Sequence, residues 1–214
     1  SEMSGKGFPY FFGRKWAEIT REERFFCQYL HSLVEHNRDY MRIFIDYINE
    51  KTKLDLPNDN ETEWECGYEV CFYRDLSYFA KKEYDKTPVS LFPIKRTFDL
   101  CLFSKERIVI IEAKCQQIFH SSQLKIFEND HENIKKLFSE LTLPLHLPIQ
   151  CYTLGLVSSK YLDFMKRKNL EIPFPEKDDF YLRQTQLLSW KDLAKKFGDD
   201  SILLRADNIF LIKD

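Results

Sequence analysis

The sequence predicts an α/β fold, a mixed central sheet flanked by helices in the order αβββαβ behind an N-terminal helical extension, and three observations carry that prediction. Two short apolar runs, Phe98 to Phe103 and Arg107 to Ala113, flank a polar turn, as in a hairpin near the centre of a sheet. Helical periodicity precedes and follows this hairpin, and a further β-forming run comes after the second helical stretch. Hydrophobic residues make up 43% of the 214 and charged residues 31%, which suits a globular chain, while 19 Phe and 11 Tyr argue against disorder. That length accommodates one domain, 1–214, with N-terminal helices over 16–52, a core over 64–158 and a C-terminal extension over 159–214.

Gly5, Gly7, Pro9 and Gly13 interrupt a Phe- and Tyr-rich stretch, so residues 5–15 read as an irregular arm packed by its aromatics. Thr20-Arg21-Glu22-Glu23 has capping-box spacing, and Phe25, Phe26, Tyr29, Leu30, Leu33 and Val34 then fall on one face of a helix. Tyr40, Met41, Phe44, Ile45 and Ile48 repeat the spacing, which makes a second helix, or a continuation bent near Asn37, running to Lys51. Asp55 to Thr62 is a loop, and Trp64 to Tyr73 is the first strand despite Gly67. Residues 74–93, polar and carrying Pro88 and Pro93, read as a loop with a short helical turn. After the hairpin, Leu124, Phe127, Ile134, Leu137, Phe138 and Leu141 mark a helix starting at Ser121 or Ser122 and stopping before Pro144. Ile149 to Val157 is a fourth strand, Tyr161 to Lys168 a helix and Phe174-Pro175 a loop. Ser189 caps a short helix to Phe197, and a late strand lies within Ile202 to Ile212.

The composition excludes several classes of function. No apolar run approaches the roughly 20 residues of a membrane span, and the first residues lack the basic and apolar regions of a secretory signal, so a cytoplasmic protein without membrane contact is expected. Cys27, Cys66, Cys71, Cys101, Cys115 and Cys151 form no Cys-x-x-Cys pair, and the five His have no ligand spacing, so zinc is not indicated and the thiols read as buried and reduced. No Gly-rich phosphate loop or Ser/His/Asp arrangement supports a small-molecule enzyme. The net charge of -2 means that a nucleic-acid surface, if present, is local.

The chemistry concentrates at the end of the hairpin. A core strand has no packing reason to finish in Glu112-Ala113-Lys114, and alternation puts Glu112 and Lys114 on one face with Ala113 on the other. If Lys105-Glu106 is a two-residue turn, counting back along the ladder sets Asp99 opposite Glu112. Opposed residues have Cβ atoms about 5 Å apart, where two ionised carboxylates repel unless a cation lies between them. Hard oxygen ligands favour Mg2+ or Mn2+, and Lys114 would offset developing negative charge or act on a water, as phosphodiester hydrolysis requires. The same residues also satisfy a plainer reading, a salt-bridged strand end with no chemistry.

Asp99 and Glu112-Ala113-Lys114 resemble the signature of the PD-(D/E)XK nuclease superfamily, restriction-endonuclease-like proteins with an Asp opening one strand and (D/E)-x-Lys ending the next. Glu112-Ala113-Lys114 is the only such triplet in the chain, and Phe98 stands where the proline of the name would be. Gln123-Leu124-Lys125-Ile126-Phe127 resembles the Gln-x-x-x-Tyr motif of RecB-like members, with Phe for Tyr. The resemblance covers roughly 64–158 and is strongest over 96–127. It implies a restriction-endonuclease-like core and Mg2+-dependent hydrolysis of DNA, with restriction of foreign DNA among the roles it admits. Asp99, Glu112 and the Ala113 carbonyl would hold the metal, joined by an upstream Glu, for which Glu69 is chosen over Glu23, Glu35, Glu63 and Glu65. Lys114 would act on the water or the phosphate, Gln123 would position them, and Arg96 would reach the phosphate backbone. Duplex cleavage takes two cuts, which a homodimer would supply, although no sequence feature demonstrates one. The alternative is a non-catalytic nucleic-acid or protein interaction module on the same fold.

Overall fold

The computed structural model describes residues 11–143, 149–167 and 186–211. A short 3-10 turn, Trp16–Glu18, precedes helices α1 (Glu23–Glu35) and α2 (Arg38–Lys51); then come β1 (Glu65–Val70), α3 (Phe72–Tyr84), β2 (Phe98–Phe103), β3 (Arg107–Ala113), α4 (Ser121–Leu141), β4 (Gln150–Val157), α5 (Ser159–Arg167), β5 (Leu187–Ser189), α6 (Trp190–Lys196) and α7 (Ser201–Asn208). The strands form one mixed sheet in the order β1-β2-β3-β4-β5, in which β2 runs antiparallel to both neighbours and β3, β4 and β5 run parallel.

The sheet is covered on both faces. Phe26, Leu30, Phe44 and Ile48 of α1 and α2, with Trp190, Leu193 and Leu203 from α6 and α7, pack on Leu100, Leu102, Val109 and Ile111. Phe72, Tyr73 and Ala80 of α3, with Ile134, Leu137 and Leu141 of α4, cover Cys101, Ile108 and Ile110 on the other face. Odd residues of β3 therefore serve one layer and even residues the other, as strand alternation requires. No helix among the described residues is long and apolar enough to cross a membrane.

Several expected elements are present with adjusted ends. The break near Asn37 separates two helices, because the Asn37 side chain accepts the Asp39 and Tyr40 N–H groups and caps α2. Thr20 is not the cap of α1: its hydroxyl accepts only the Glu22 N–H, and the helix begins at Glu23, whose carboxylate is engaged elsewhere. Ser189 caps α6 as expected by accepting the Asp192 N–H. All six cysteines are free thiols, and only Cys151 is not fully buried.

Two further expectations are corrected. The stretch read as a loop over 74–93 opens with the 13-residue helix α3, and the first strand accordingly stops at Val70 instead of reaching Tyr73. Phe72, Tyr73 and Ala80 give α3 a buried face, but exposed Tyr78, Phe79 and Tyr84 blur its periodicity. The late strand expected within Ile202 to Ile212 is instead helix α7, started by Asp200, which accepts the Ile202 and Leu203 N–H groups, and seated by Leu203 and Ala206. The Phe174-Pro175 loop, most of the 5–15 arm and residues 212–214 lie outside the described residues.

Candidate functional site

The carboxyl ends of β1, β3, β4 and β5 and the start of β2 meet at one end of the sheet, the end at which open α/β sheets generally bind ligands. Asp99 and Glu112 lie there. The Lys105-Glu106 turn closes with Ser104 and Arg107 exchanging backbone hydrogen bonds at 3.0 and 3.4 Å, and Leu100 pairs with Ile111, so the next rung sets Asp99 against Glu112. One residue further along β3 the ladder gives way to a side chain: the Ala113 N–H donates to Asp99 Oδ2 at 2.9 Å. An extended residue turns its N–H and C=O to the same edge, so the Ala113 carbonyl lies on the Asp99 side of β3.

Glu112 is only 6% exposed and shares a buried polar chain that continues into α3 and α4. Arg96 Nη2 donates to Glu112 Oε1 at 2.6 Å and to Asp130 Oδ2 at 2.9 Å, Arg96 Nε donates to the same Asp130 oxygen at 3.1 Å, and Nη1 donates to the Thr97 carbonyl at 2.6 Å. Tyr73 donates its hydroxyl to Asp130 Oδ1 at 2.5 Å. The guanidinium also lies near the rings of Phe98 and Phe127, 5.1 and 5.6 Å from their centroids. Arg96, expected to reach outward to phosphate, is thus turned inward. Phe127, in the tyrosine place of the Gln-x-x-x-Tyr pattern, supplies a ring to that cation.

Lys114 follows β3 and donates its N–H to the Leu156 carbonyl at 2.8 Å, so its backbone extends the pairing with β4. Its ammonium lies 5.8 Å from the Phe119 ring centroid, and Phe119 in turn meets Phe127 edge-on. Glu23, in the first turn of α1, reaches across the sheet end, where its Oε2 accepts the Cys115 N–H at 3.1 Å. Glu23 is within electrostatic range of both Asp99 and Lys114.

Glu69, the chosen upstream ligand, is placed differently. The β1–β2 register sets it opposite Asp99, but its backbone adopts φ +50°, a left-handed conformation costly for a residue with a Cβ, and its carboxylate lies 3.9 Å from Arg24 Nε at the surface. Of the competitors, Glu35 is spent on the Cys66 N–H at 2.7 Å, and Glu63 and Glu65 lie at the opposite end of β1. Glu23 is the upstream acid that the fold brings to Asp99. Gln123 is half-buried at the start of α4, where its Oε1 accepts the His120 N–H at 3.1 Å. Among the described residues, no group of three or more His, Cys, Asp or Glu side chains is arranged to hold a metal ion by itself.

Burial dominates the electrostatics. It pushes the Glu112 carboxyl well above the usual range; the adjacent Asp99 charge adds to the rise and Arg96 opposes it. Glu23 is pushed up to about 7, first by burial and then by Asp99, with Lys114 acting against both. Burial also raises Asp130, against the pull of Arg96. For Arg96 burial disfavours the charge, but Glu112 and Asp130 outweigh it and its pKa is raised. Burial pushes the Cys115 thiol up, so the residue after Lys114 is a packed thiol and not an activated one.

Comparison with family models, with curated proteins and with solved structures finds no match to this chain. Sequence reasoning missed Asp130 and Tyr73 and passed over Glu23. A signal existed for Asp130, an acid spaced with Phe127 and Ile134 on the buried face of α4, where an unpaired carboxylate is not tolerated. Nothing local marked Glu23, whose partner Cys115 is 92 residues away.

Proposed function

We propose that this protein is a metal-dependent nuclease of the PD-(D/E)XK kind, hydrolysing phosphodiester bonds in DNA at the end of the β2–β3 hairpin. The observation that carries the reading is the Asp99–Glu112 pair: two carboxylates side by side, one almost wholly buried, with Glu23 drawn toward them. Four acids, Glu23, Asp99, Glu112 and Asp130, meet two bases, Arg96 and Lys114, and burial raises Glu23, Glu112 and Asp130, so the site favours protonated carboxyls whose protons a divalent cation would replace. The element order departs from the expected αβββαβ by the insertion of α3 between β1 and β2; the run of β2, β3, α4 and β4 is what supports the reading.

The donors fit a hard cation of the magnesium type. Asp99, Glu112 and the Ala113 carbonyl would hold it, leaving the rest of the shell to water, as Mg2+ usually does with few protein ligands. When bound, such an ion polarises the phosphate and lowers the pKa of a bound water. The chain's own residues do the remaining work: Lys114 brings positive charge to the same sheet end, the Cys115 N–H fixes Glu23, and the Ala113 N–H fixes Asp99. Gln123 holds the start of α4 and would act on the substrate only by exchanging its bond to His120. DNA as substrate and a homodimer as the cutting unit extend the resemblance.

One observation favours a non-catalytic interaction module instead: Arg96 already compensates Glu112. Magnesium titration by calorimetry on the wild type and Asp99→Ala, paired with cleavage of plasmid and single-stranded DNA, separates the readings. Binding and nicking lost together in the variant support the nuclease; a wild type that binds neither Mg2+ nor Mn2+, even with DNA present, supports the module.

A further inference from the structure

Arg96 divides its guanidinium unequally between two carboxylates. Nε and one Nη2 contact go to Asp130 and Nη1 goes to the Thr97 carbonyl, whereas Glu112 receives a single contact from Nη2. If Glu112 turned away, Arg96 would lose one hydrogen bond and keep a charge-assisted pair with Asp130, still beside the rings of Phe98 and Phe127. Asp130 is itself anchored, because Tyr73 occupies its other oxygen and it is 1% exposed. A half-buried cation with a secure second acceptor keeps a charged partner when it releases the first.

We propose that Arg96 is a releasable internal counter-ion for Glu112, which an incoming divalent cation displaces, and that Asp130, held by Tyr73, is the positioning residue that retains the freed guanidinium. The inference rests on reading Asp99 and Glu112 as a metal pair and adds what sets the affinity of that pair. Arg96 competes with the metal for Glu112 and repels it, so it weakens binding; Asp130 draws Arg96 off Glu112 and so strengthens binding. The two residues have opposite effects although they touch each other.

The test is Mn2+ binding to the full chain, followed by calorimetry and by loss of the free-ion paramagnetic resonance signal, for wild type, Arg96→Met, Arg96→Lys and Asp130→Asn. Arg96→Met is expected to bind about tenfold tighter or more, since a unit charge beside the ion is removed. Arg96→Lys keeps the charge and remains nearer the wild type, and Asp130→Asn binds about tenfold weaker. Mn2+ should also raise the melting temperature of Arg96→Met more than that of the wild type. A purely structural role for Arg96 predicts weaker binding in every variant. Arg96→Met binding no tighter than a wild type that does bind overturns the proposal, and Arg96→Gln gives the same reading if Arg96→Met does not fold. Binding by neither wild type nor Arg96→Met removes the metal-site reading itself, whereas binding by Arg96→Met alone supports the counter-ion in its strongest form.

Discussion

Replacing Glu23 by Gln should stabilise the protein at alkaline pH and not at acidic pH. In the folded protein the Glu23 carboxyl is pushed from an ordinary 4.5 to about 7, by burial first and by Asp99 second. The folded state therefore holds a proton that the unfolded chain has released, and stability falls as pH rises from about 4.5 to about 7. The full penalty, at about 1.4 kcal/mol for each tenfold, is roughly 3 kcal/mol and is reached only above that window. The substituted amide would carry no charge to desolvate, yet its oxygen could still accept the Cys115 N–H that Glu23 Oε2 accepts. Urea unfolding of both proteins at about pH 5 and about pH 8.5 reads the difference, with equal slopes confirming that the unfolding reaction is unchanged. The variant should gain about 2 to 3 kcal/mol on the wild type in going from the lower to the higher pH. Glu112, whose pKa also rises with burial, contributes a slope of the same sign to both proteins and cancels. The same stability difference at both pH values would refute the account of Glu23, as would a variant less stable than wild type at about pH 8.5.

Two other outcomes follow from the packing around the site. Gly155 pairs with Glu112 across the β3–β4 ladder, and a Cβ there would stand 2.5 Å from Leu187 Cδ2 and 2.9 Å from Phe119 Cε2, so Gly155→Ala should cost about 1 to 3 kcal/mol by overcrowding. An unchanged melting temperature would contradict it. His131, half-buried on α4 and bonded at 2.7 Å to the Thr153 hydroxyl, has its pKa lowered to about 4, chiefly by desolvation. Its folded value lies below the unfolded one, so stability is lost as pH falls below about 6.5. Its imidazole should stay neutral by NMR down to about pH 5, and a midpoint near 6.5 would disprove the burial effect.

The central hairpin was legible because a two-residue turn fixes register by counting: once Lys105-Glu106 closed the turn, Asp99 had to oppose Glu112. Helices with one clean apolar stripe, such as α2 and α4, were legible for a similar reason, since a single period decides them. Helix α3 was hidden by large aromatics on its exposed side, and α7 because Ile202, Leu203, Leu204 and Ile209 suit either a strand or a short helix. Within the site, residues on one hairpin could be placed by arithmetic, whereas Glu23, Tyr73 and Asp130 arrive on helices packed from both faces of the sheet. Arg96 showed its charge in the sequence but not its direction, which depends on Asp130 being 34 residues away and buried beside it.

The most direct test of the central claim is cleavage of supercoiled plasmid by the wild type with Mg2+, run beside Asp99→Asn and Lys114→Met and beside wild type with chelator. The nuclease account predicts nicked and linear product from the wild type alone, at least about 100-fold slower in either variant and absent with chelator. An intact plasmid with wild type in both Mg2+ and Mn2+, or cleavage that persists unchanged in Asp99→Asn, would contradict it.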